Sequence, residues 1–169
     1  GGRGMVRVTL MGSGTILREV QAAAEILERD FGVPADVFSV PSFSELRRDA
    51  LECERWNLLN PAAPRRVPYV AQCLKDRAGP FVAATDYVRN VADQVRQWVP
   101  GQFVVLGTDG YGRSDARGAL RHHFEVDRRF IVLAALKALA DEGKIDKATV
   151  GRALEKLEID PAKPNPLNS

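Results

Sequence analysis

Most of the side chains able to do chemistry gather in one stretch of this sequence. Gly107 to Ser114 is rich in glycine and carries Asp109, Tyr111 and Arg113. Shortly after it come His122 and His123, the only histidines in the chain. A nucleophilic triad needs a serine or cysteine beside a histidine that a carboxylate orients. Neighbours on a helix diverge by about 100°. At most one of the two histidines can therefore serve a given site, with Asp109, Asp115 or Glu125 as its orienter. The favoured expectation is that one packs or hydrogen-bonds at a sheet end and the other faces solvent. Zinc would need three or four ligands, drawn here from Cys53, Cys73 and that adjacent pair. Cys53 reads instead as a small buried hydrophobe on a helix. No catalytic residue and no metal ligand is expected.

A second candidate is the turn Gly12-Ser13-Gly14, between a strand and a helix. Backbone N–H groups at such a junction can hold an anion. Three residues fall far short of a dinucleotide or phosphate-loop fingerprint, and a tight turn that needs glycine is the favoured reading. The loop from Gly107 to Ser114 follows the carboxyl end of a strand, where open sheets place ligands. Tyr111 and Arg113 are residue types common at interface hot spots. Asp109, Tyr111, Arg113, His122 and His123 are therefore the expected interface set.

Hydrophobic periodicity supplies the elements that position these residues. Val6, Val8 and Leu10 alternate with polar neighbours, as in a strand. Ile16, Leu17, Val20, Ala23, Ala24, Leu27 and Phe31 recur at helical spacing, with Gly32 as the stop. Ala35 to Val40 reads as a second strand. Ser42 and Glu45 form a capping box for a helix that runs to about Trp56. Asn57 to Pro68 is a long proline-rich loop, of the kind that is usually functional or part of an interface. Tyr69 to Leu74 fits either a helical turn or an irregular piece. Phe81 to Ala84 is a third strand, and Thr85-Asp86 should cap a helix with Tyr87, Val91, Val95 and Trp98 on one face. Phe103 to Leu106 is a fourth strand, apolar throughout. Ser114 or Asp115 should cap the histidine helix, Asp127 the helix from Arg128 to Glu142, and Asp146 the last helix. Alternation of this kind predicts an α/β fold with a mostly parallel sheet between helices.

The whole, 169 residues, suits one domain: a globular core over 5–160 and a tail rich in proline and asparagine over 161–169. The opening Gly1-Gly2-Arg3-Gly4 reads as a cloning scar or an interdomain loop. Twenty-four basic side chains stand against 22 acidic ones, a net charge of +2. This near balance argues against a nucleic-acid partner. No run has the length of a membrane span, and two unspaced cysteines suit a reducing, cytoplasmic setting.

Several motifs in order carry a resemblance. They are Gly12-Ser13-Gly14 before its helix, Cys53-Glu54-Arg55-Trp56-Asn57, Thr85-Asp86-Tyr87, Leu106 to Asp115, Leu120 to Asp127, and the ending from Ile159 to Pro166. From Met5 onward the chain resembles the carboxyl-terminal domain of the homodimeric bacterial pyruvate dehydrogenases, the decarboxylating, thiamine-diphosphate-dependent enzymes of the pyruvate dehydrogenase complex. The resemblance implies a three-layer α/β/α transketolase C-terminal-like domain, part of a longer three-domain chain. The family's sheet is five-stranded and mixed. Its antiparallel edge strand would precede the first strand here and is expected to be missing or displaced. The remaining four should lie in the order second-first-third-fourth, leaving the second strand with an unpaired edge. Thiamine diphosphate and magnesium would lie on the two preceding domains, so the fragment alone should be inactive and hold no cofactor. Its implied partners are those catalytic domains, a second subunit, and the dihydrolipoyl acetyltransferase core. Read from its residues alone, the chain could also be a free-standing α/β enzyme or anion-binding module that uses the 12–14 and 107–114 loops.

Overall fold

A computed structural model describes residues 6–85, 92–107 and 127–160. The first strand, β1 (Val8–Gly12), is buried along its whole length. A 3-10 turn over Gly14–Ile16 leads directly into helix α1 (Leu17–Phe31). Gly32 ends α1 in the left-handed region, φ 66°, which costs little only without a Cβ. Strand β2 (Ala35–Ser39) and helix α2 (Phe43–Leu59) follow. Next come the short helix α3 (Tyr69–Leu74), strand β3 (Phe81–Ala84) and strand β4 (Phe103–Leu106). The described part ends with α4 (Arg128–Asp141) and α5 (Lys147–Lys156).

The four strands are all parallel and lie in the order β2-β1-β3-β4, as expected. The family's antiparallel edge strand is not among the described residues. The α/β/α layering follows from the two-residue period of a strand. Val8 and Leu10 of β1, Val82 and Ala84 of β3, and Leu106 of β4 face one side, against α1, α4 and α5. Met11, Phe81, Ala83, Phe103 and Val105 face the other, against Phe43 of α2, Val70 and Leu74 of α3, and Val95. Helix α4 buries Ile131, Val132, Ala135, Leu136 and Leu139 completely. Each large aliphatic side chain so buried contributes about 1.5–3 kcal/mol.

Among the described residues, strand β2 has a neighbour on one side only, and it stays mostly half-buried. Its Asp36 pairs with Arg7 at 2.9 Å and Arg77 at 3.6 Å, and charges of this kind discourage strand addition at an open edge.

Local chemistry departs from expectation at several points. Ser42 Oγ accepts the Glu45 N–H at 3.1 Å, but the Glu45 carboxylate pairs with Arg48 instead of returning to Ser42. The box is half closed because an arginine one turn on competes for the same carboxylate. Helix α2 continues past Trp56 to Leu59, so the connecting loop is shorter than the prolines suggest. Asn57 sits inside the helix and still holds that loop, donating to Arg66 O at 2.9 Å and accepting Arg66 N–H at 2.8 Å. Tyr69 to Leu74 is a helix. Asp127 caps α4 by accepting Phe130 N–H at 3.2 Å, whereas Asp146 stands at the N-cap of α5 without a side-chain bond. Cys53 is half-buried rather than buried, because α2 turns that flank toward an open cleft. Of the helix expected after Thr85, residues 86–91 lie outside the described part, and the chain passes through a 3-10 turn at Arg96–Trp98. The tail over 161–169 also lies outside it.

Candidate functional site

In a parallel sheet every strand ends on the same edge, and three strand ends here converge on one buried contact. Ser13, just past β1, donates its hydroxyl to Thr85 Oγ1 just past β3, at 3.2 Å. Thr85 N–H in turn donates to Leu106 O at the end of β4, 3.1 Å. Both hydroxyl residues are buried. Gly12 is demanded by packing: a Cβ there would sit 2.7 Å from Val20 Cγ2 and 3.3 Å from Leu17 Cα. Gly14 is exposed and has φ 62°. The turn singled out as a candidate anion cradle is thus a close helix-to-strand junction whose serine hydroxyl points inward to Thr85.

The 107–114 stretch leaves the sheet from this edge. Only Gly107 of it is described, and Asp109, Tyr111, Arg113, His122 and His123 lie outside the described residues. The chain re-enters the described part at Asp127, beside the same sheet end. There Glu19, in the first turn of α1, receives three bonds from Arg128: from the backbone N–H at 2.9 Å, from Nε at 3.1 Å and from NH2 at 3.1 Å. The carboxylate raises the Arg128 pKa further above its ordinary value, so this ion pair keeps its cation at any working pH.

A second concave surface lies on α2, on the opposite helical layer. It is an open cleft of about 400 Å³ lined by Asp49, Cys53, Arg55, Trp56, Leu59 and Arg66, among others. The Arg66 guanidinium stacks on the Trp56 ring, 3.9 Å from its centroid. Asp49 accepts the Tyr69 N–H at 2.8 Å, which starts α3 against α2. Partial burial, and secondarily the Asp49 charge, push the Cys53 thiol pKa up. The Tyr69 hydroxyl is pushed up chiefly by a hydrogen bond with Cys73. Gly12, Ser13 and Gly14, the expected site residues that are described, do not line this cleft. The signal for it is the pair Trp56 and Asn57 facing Arg66 across the proline-rich loop. Among the described residues no group of three or more His, Cys, Asp or Glu side chains could hold a metal ion. No described helix is long and apolar enough to cross a membrane.

The model for the transketolase-like TK C-terminal domain matches residues 2–127. The chain belongs to that family. The match takes in this TK C-terminal domain's whole sheet and stops where α4 begins. Curated relatives are similar over more of the length. The chain is 58% identical over 162 residues to the pyruvate dehydrogenase E1 component of Pseudomonas aeruginosa, which covers 95% of this chain and 18% of that protein. It is 56% identical over 161 residues to the same component of Escherichia coli, again 95% of this chain and 18% of the other. For Buchnera aphidicola from Acyrthosiphon pisum the identity is 49% over 161 residues. The chain thus spans less than a fifth of the curated relatives it matches. Among solved structures, a split-gene transketolase described as an inactive β4 tetramer superposes with a TM-score of 0.52. It is 21% identical and covers 79% of this chain and 39% of its own. That likeness concerns the transketolase C-terminal fold alone.

Proposed function

We propose that this chain is the C-terminal assembly domain of a pyruvate dehydrogenase E1 component, and that it contributes contacts rather than catalysis. The observation that carries the reading is the identity of 58% over 95% of the chain to a protein more than five times its length. The parent would decarboxylate pyruvate oxidatively and pass the acetyl unit to a lipoyl group of dihydrolipoyl acetyltransferase. Thiamine diphosphate and magnesium would be held by the parent's other domains. The contributions of this domain would be packing against those domains, homodimer contact, and docking of the acetyltransferase core. The set read from the sequence, Asp109, Tyr111, Arg113, His122 and His123, is the proposed interface. The triple grip of Glu19 on Arg128 and the Thr85 N–H bond to Leu106 O support it, because they hold the described residues on either side of the stretch that carries the set.

The test has two arms. Titration calorimetry of this chain with thiamine diphosphate and magnesium should show no binding, and micromolar affinity would overturn the reading. In the full-length parent, Arg113→Glu should weaken dimerisation or core docking by about tenfold, the loss expected for a truncated interface arginine. Unchanged assembly and docking would remove the interface assignment.

A further inference from the structure

A further cleft lies in the layer of α1, α4 and α5, across the sheet from α2. It opens between the last turn of α1 and one flank of α5 and holds about 340 Å³. Its lining is Asp30, Phe31, Thr149, Arg152 and Lys156. The volume falls at the lower end of the range for small-ligand sites, roughly 300–1,000 Å³.

The spacing of α5 builds this cleft. Val150, Ala153 and Leu157 form an apolar stripe that packs on the same core as Phe31. Thr149, Arg152 and Lys156 each precede a residue of that stripe by one position, about 100° around the helix. They therefore rise beside the buried stripe, toward the end of α1. Lys156 Nζ stands 5.7 Å from the centroid of the Phe31 ring.

The donors gathered there have few acceptors. Arg152 NH2 donates to Thr149 Oγ1 at 3.0 Å, and the rest of the guanidinium has no acceptor among the described residues. Lys156 Nζ is 3.9 Å from Asp30 Oδ1, beyond hydrogen-bond reach. Asp30 is already engaged on both oxygens by Arg29, whose Nε donates to Oδ1 at 3.0 Å and NH2 to Oδ2 at 3.1 Å. That pair cancels, and Arg152 and Lys156 leave two positive charges beside an aromatic ring.

We propose that this cleft binds a phosphate monoester whose ester group is flat and apolar. A phosphate dianion answers both spare cations. A guanidinium takes two phosphate oxygens at once, the lysine supplies the second charge, and the flat group lies on Phe31. A lone carboxylate carries one charge and leaves the other cation unanswered. Lys156 is 55% exposed, so water and salt hold the affinity low. The site does not depend on the pyruvate dehydrogenase reading, and its failure would leave that reading untouched.

Amide chemical-shift titration of the isotope-labelled 169-residue chain with phenyl phosphate tests it, at about pH 7.5 where the probe is dianionic. Saturable shifts with Kd on the order of 1 mM are expected, gathered at residues 29–32 and 149–157. Inorganic phosphate should bind at least about threefold more weakly, for want of the ring contact. Arg152→Gln and Lys156→Gln should each weaken phenyl phosphate about tenfold. Lys137→Gln, the same loss of charge on α4, should leave it unchanged. Phe31→Leu should erase the preference over inorganic phosphate. If Phe31→Leu unfolds, the exposed Arg152 and Lys156 variants keep the test decisive. No saturation below about 10 mM would overturn the proposal. So would shifts gathered elsewhere, equal weakening by Lys137→Gln, indifference to Arg152 and Lys156, or inorganic phosphate bound as tightly as the ester.

Discussion

Glu19 and Arg128 are 109 positions apart in sequence, yet the carboxylate of one takes three hydrogen bonds from the other. The contact ties the start of α1 to the start of α4 and fixes where the chain rejoins the sheet. Arg128 is half exposed, with 50% of its side chain in solvent against 28% for Glu19, so screening limits its strength. Glu19→Ala should lower stability by about 0.5–1 kcal/mol. Arg128→Ala should cost less, because its backbone N–H still donates. Urea denaturation of both variants checks the ranking.

Gly12 should tolerate no side chain. Gly12→Ala places a methyl 2.7 Å from Val20 Cγ2, and overpacking of this kind costs about 1–3 kcal/mol. Val20→Ala in the same chain should recover part of the loss, since it removes the clashing methyl. A double-mutant cycle by chemical denaturation measures that coupling, and purely additive losses would contradict the packing account.

Ser13→Ala removes the donor of a buried hydroxyl pair, at a cost of about 1 kcal/mol. Phosphate separates this structural role from the anion-cradle reading. If the Ser13–Thr85 contact is all the turn provides, millimolar phosphate should shift the melting temperature of wild type and variant equally. Stabilisation by phosphate that vanishes in Ser13→Ala would instead restore the anion site.

The raised Cys53 pKa predicts slow alkylation. The thiolate is the nucleophile, and burial keeps Cys53 protonated where a free cysteine is already ionised. Mass-spectrometric mapping of iodoacetamide labelling at mildly alkaline pH should find Cys53 slower than in the denatured chain. Linkage gives the sign for stability. A thiol pKa raised in the folded state favours folding fully at pH values below the unfolded pKa. That contribution is lost as pH rises above it toward the folded value.

The strand and helix pattern is legible because it rests on period, two for β1 and 3.6 for α1 and α4, and on short apolar runs for β3 and β4. The parallel order β2-β1-β3-β4 follows from the lengths of the crossovers and the resemblance together. The stops are legible where one residue decides them, as Gly32 and Asp127 do. The Glu45 side of the capping box is not, because Arg48 competes for the carboxylate. Nor is the end of α2, because Asn57, a residue that suggests a loop, satisfies the loop backbone from within the helix.

What the sequence determined by itself was local and periodic: which segments are helix or strand, which face of each is apolar, and a family resemblance carried by short motifs. Those properties need only neighbouring residues. Tertiary structure alone decided that Ser13 turns inward to Thr85, that Glu19 meets Arg128, and that Arg152 and Lys156 share a cleft with Phe31. Each of these joins or separates residues far apart in the chain. Their relation is set by how helices of fixed length pack on a twisted sheet, a geometry that no local spacing encodes.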